Sequence, residues 1–135
     1  MDEIVNRVAN SSLVTIDLED LYVEGSRSVV DISPWLLEGL ILKEKEFRAY
    51  VAAHDWSQYQ NHFVALHCST DAIIPGWAYM LVTTAINPYA NKVVVGDLET
   101  LETLLFEAQL ENLPFEAYTD KPIIIKGCSN KPVPP

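Results

Sequence analysis

Three short apolar runs constrain the fold of this chain more than any other feature: HFVALH at 62–67, KVVVG at 92–96 and PIIIK at 122–126. None alternates apolar with polar residues, so neither face of such a strand is suited to water. That is the pattern of parallel strands covered on both sides. Segments of helical length lie between the runs. Residues 75–87 start at Pro75 and place Trp77, Met80, Leu81 and Thr84 on one face. Residues 98–111 follow the capping residue Asp97 and turn Leu98, Leu101, Leu104, Leu105 and Ala108 inward. The order predicts a parallel βαβαβ sheet in the second half of an α/β fold, with all three runs in one sheet.

The first half reads differently. Residues 2–10 carry Ile4, Val5 and Val8 at helical spacing. Residues 12–17 and 27–32 read as strands split by Glu24, Gly25 and Ser26, which predicts an N-terminal antiparallel hairpin. Ser33 and Pro34 then open a helix from Trp35 to about Leu42, and a second helix over 43–54 places Phe47, Tyr50 and Val51 on one face. Residues 55–61 form a polar aromatic loop. With no linker rich in Gly, Ser or Pro, the chain is expected to be a single domain over 1–135, divided into 1–61 and 62–135.

Two segments repeat a local pattern. Residues 63–75 read FVALHCSTDAIIP and residues 123–134 read IIIKGCSNKPVP. Each is an apolar run, a short transition, Cys-Ser, a polar stretch, an aliphatic residue and Pro. Ligands of open α/β sheets collect beyond the carboxyl ends of parallel strands, where both Cys-Ser pairs fall. A helix N-terminus after Cys68 favours a thiolate. These residues define a candidate thiol site of Cys68, Cys128, Ser69 and Ser129, with Cys68, Cys128 and His67 as candidate metal ligands. Zinc, iron or an iron–sulfur cluster would suit such donors. The plainer alternative is that each cysteine is a small buried hydrophobe and each Cys-Ser a structural turn. Adjacent His67 and Cys68 point to opposite faces unless the turn rotates them together.

The remaining polar residues carry weaker signals. His54 and His62 flank a loop that Trp56 and Tyr59 are expected to pack. Ser69 with His67 and Asp71 lacks the G-x-S-x-G elbow of a hydrolase. Asp17, Glu19, Asp20 and Glu24 lack the spacing of a calcium loop and read as a solvated edge. No phosphate-binding glycine motif occurs.

Charge narrows the partners. Nine Lys and Arg against nineteen Asp and Glu give −10, which argues against nucleic acid and against anionic membrane surfaces. The N-terminal residues lack the apolar core of a secretory signal, and the apolar stretch at 73–86 is broken by Pro75 and Gly76. The expected location is the cytoplasm, with reduced thiols.

The words EIVNRVANSSLVTIDLEDLY, GLILKEKEFR, HDWSQYQ, HCSTDAIIPGWAYML and IIIKGCSNKPVP carry a resemblance over residues 2–134. The chain resembles the small bacterial family catalogued as domain of unknown function 2480. Members continue through a further helix, strand and Cys-Ser word, so the resemblance implies a C-terminally shortened chain. It supplies no catalytic residues. It implies iron–sulfur assembly proteins as partners, because the family's genes lie near iron–sulfur assembly genes. Two functions follow as expectations: a thiol-based accessory protein handling a metal, an iron–sulfur intermediate or redox equivalents, or a non-catalytic binding or interaction module.

Overall fold

The computed structural model describes residues 13–127 and 131–134. In chain order its elements are β1 (Val14–Asp17), β2 (Arg27–Asp31), α1 (Glu44–Ala53), β3 (Phe63–His67), α2 (Gly76–Ile86), β4 (Lys92–Val95), α3 (Leu98–Glu111) and β5 (Ile123–Lys126). Short 3-10 turns fill Leu18–Leu21, Ser33–Trp35, Trp56–Tyr59 and Phe115–Tyr118. The chain divides into two compact units, Glu24–Glu102 and the pair of segments Met1–Val23 with Thr103–Pro135.

In the unit Glu24–Glu102 a parallel sheet runs β2-β3-β4. β3 is central, with Leu66 opposite Val30 on one side and Val95 on the other. Its first four residues are all buried, as an unalternating apolar run requires. One face carries Val30, Val64 and Leu66 against Phe47 and Val51 of α1 and Ala78, Val82 and Ile86 of α2. Each fully buried side chain of this size contributes about 1.5–3 kcal/mol. The other face carries Arg27 of β2, in register with Phe63, and Phe63 and Ala65 of β3, in register with Lys92 and Val94 of β4. There the Arg27 guanidinium sits 5.2 Å over the Phe63 ring and grips Glu102 of α3, Nε to Oε1 at 2.6 Å. The first turns of α3 therefore cover the face opposite α1 and α2.

In the other unit β1 pairs in parallel with β5, Val14 opposite Ile123 through Asp17 opposite Lys126. The Asp17 carboxylate accepts from the Glu19 N–H at 3.0 Å and closes the 3-10 turn that ends the strand. Tyr22 lies against Phe106 of α3, and a cavity of about 310 Å³ is lined by Leu18, Phe106, Leu110 and Val133 among others.

Three expectations are corrected. The N-terminal antiparallel hairpin does not form: β1 pairs with β5 and β2 with β3, both in parallel. The turn at Leu18–Leu21 replaces a hairpin connection, and pairing with β3 lets Val30 be buried. The parallel β3-β4 pairing is as expected, but the run at 122–126 does not join that sheet. Both edges of β3 are already occupied, and Ile123, Ile124 and Ile125 are exposed rather than sandwiched. The helix expected from Trp35 to Leu42 is only the 3-10 turn Ser33–Trp35, because Glu38 and Gly39 turn left-handed at φ 54° and 73°.

Among the described residues, no helix is long and apolar enough to cross a membrane.

Candidate functional site

The carboxyl ends of β2, β3 and β4 bring together the polar residues of the unit Glu24–Glu102. Asp31 ends β2. Its Oδ1 accepts from the backbone N–H of Ser33 at 2.9 Å and of Ser69 at 3.0 Å. The Ser33 and Ser69 hydroxyls are 3.1 Å apart. Burial by itself would raise the Asp31 carboxyl. Hydrogen bonds from the side chains and backbones of Ser69 and Ser33 outweigh it and bring the pKa from 3.8 to about 2.

Cys68 follows β3 and packs, partly buried, against the core shared with Leu66. Its Sγ lies 3.2 Å from the Thr70 Oγ1. The Thr70 hydroxyl donates its single proton to the Gly39 carbonyl. Its oxygen can then only accept from sulfur, so the Cys68 thiol is the donor. The chain Cys68–Thr70–Gly39 ties the end of β3 to the left-handed turn. Gly39 is needed there: its φ is 73°, and an added Cβ would stand 3.4 Å from the Thr70 methyl. Tyr79 of α2 stands nearby, its phenol pushed up first by burial and then by Cys68 and Asp31.

His67 belongs to the opposite face by strand alternation. It is opposite Asp31 in register. The Asp97 carboxyl is held below its usual value first by the Thr100 N–H and hydroxyl, at 2.8 and 2.9 Å, and further by His67. Gly96 docks the end of β4 on β3, its N–H donating to the Leu66 carbonyl at 2.8 Å.

By strand alternation His67 and Cys68 leave β3 toward different faces, with Cys68 against the core and His67 toward Asp97. Among the described residues, no group of three or more His, Cys, Asp or Glu side chains is placed to hold a metal ion. Cys128 and Ser129 lie outside the described residues. The Ser69 hydroxyl meets Ser33, and no hydrogen bond joins it to His67 among the described residues. β5 pairs with β1 and β3 with β2 and β4, so the two runs that lead into the Cys-Ser words are not neighbours in a sheet.

Sequence reasoning missed Asp31, Thr70 and Gly39. The signal for Asp31 was present: an aspartate two residues before Ser33 at a strand end is the pattern of an Asx turn. The link from Thr70 to Gly39 spans 31 positions and leaves no local signature.

The HDWSQYQ word is architectural. Asp55 Oδ1 accepts from the Ser57 N–H at 3.1 Å, and Trp56 Nε1 donates to the Val51 carbonyl at 2.8 Å. His54 Nε2 meets the Tyr59 hydroxyl at 2.8 Å, and His62 Nδ1 meets the Ser28 hydroxyl at 2.7 Å. Both histidines are thus held in the packed loop, as expected from its aromatic residues.

Over residues 2–135 the chain matches the family described as protein of unknown function (DUF2480). It belongs to the DUF2480 family. No curated protein and no solved structure matches it. Within this DUF2480 chain the segments HDWSQYQ and HCSTDAIIP have separate structural roles: one locks the loop before β3, the other braces the end of β3 on the Gly39 turn.

Proposed function

We propose that this chain is a non-catalytic protein-interaction module whose Cys68-Ser69 turn is structural. The observation that carries the reading is the Thr70 bridge, which accepts from the Cys68 thiol and donates to Gly39. The bridge holds an apolar loop in a displayed shape. Leu37 and Ile41 pair across the turn, N–H to carbonyl at 2.8 and 3.1 Å, and Leu40 N–H donates to the Leu37 carbonyl at 3.1 Å. Both central residues have the positive φ of a type I′ turn, and at Glu38 that conformation costs about 1 kcal/mol. Yet Leu37, Leu40 and Ile41 stay 52%, 55% and 54% exposed. A strained turn that displays three aliphatic side chains marks a binding surface.

The reading suits a reducing cytoplasm, where a partly buried thiol such as Cys68 stays free. Metal content tests it against thiol chemistry. Protein prepared without oxygen and titrated with zinc or ferrous iron should retain no stoichiometric metal, and Cys68→Ser should behave as the parent chain. Stoichiometric metal or cluster that depends on Cys68 overturns the reading in favour of a thiol site with Cys128 and His67. Iron–sulfur assembly proteins would then be the natural partners.

A further inference from the structure

We draw no further inference here: the strongest candidate, the apolar cavity that Leu18, Phe106, Leu110 and Val133 line along α3, carries nothing because nothing in the structure shows what fills it and no buried polar side chain among the described residues points into it.

Discussion

Asp31 accepts hydrogen bonds from Ser33 and Ser69, backbone and side chain, and those bonds hold its carboxyl at about 2 despite partial burial. A carboxyl depressed below its ordinary 3.8 stabilises the folded chain above about pH 4, and that contribution disappears as the pH falls through 2. Because the group is only partly buried, solvent screening reduces the contribution to about 1 kcal/mol. Asp31→Asn should therefore lower stability by about that amount at pH 6, with the gap closing by about pH 2; urea melts at several pH values measure it. At this scale the sequence was partly legible. His54, Trp56 and Tyr59 sit within five residues of their partners, and local packing could be read from the word that contains them. Cys68 was legible as a small residue at a strand end, but the direction of its hydrogen bond was not. That direction depends on Gly39, which reaches the site through a turn that sequence periodicity presents as a helix.

Among the elements, α1 and α3 cover the expected ranges, but Tyr50 and Leu98, expected on the inward faces, are 49% and 43% exposed, and α1 has no side-chain cap. Asp97 does cap α3, through Thr100. The face of α2 was not legible: Ala78, Val82 and Ile86 are buried, whereas Met80 is 71% exposed. The sequence GWAYMLVTTAI is apolar on nearly every side, so its period carries little information. The first turns of α3 owe their seat to the Arg27–Glu102 pair, whose side chains are only 13% and 15% exposed. Two parallel hydrogen bonds, 2.6 and 3.1 Å, join the guanidinium to the carboxylate. Glu102→Gln should cost about 1–2 kcal/mol, since one charge then lacks its partner. Glu44→Gln removes the pair with Arg48, whose side chains are 65% and 53% exposed, and should change stability by less than about 0.5 kcal/mol. Thermal melts of the two variants compare them directly.

For the molecule as a whole, the class of the fold was legible and the division of its strands was not. Unalternating runs identified parallel strands, and β3-β4 joined by α2 follows from that. The pairings of β1 with β5 and β2 with β3 join residues far apart in sequence, and no local pattern encodes such partners. β2 reads RSVVD, with polar residues at both ends, and looks like a solvated strand; its place beside β3 depends on the core that α1 and α2 supply. In the reading proposed above, the end of β3 is a brace for a displayed loop rather than a reactive thiol. Alkylation of Cys68, followed in a Cys128→Ser chain so that only one thiol reports, tests that claim most directly. The native protein should react about tenfold or more slowly than the urea-unfolded chain, and Thr70→Val, which removes the acceptor of the thiol proton, should speed the native reaction. A native rate equal to the unfolded rate, or one that Thr70→Val leaves unchanged, would contradict the account.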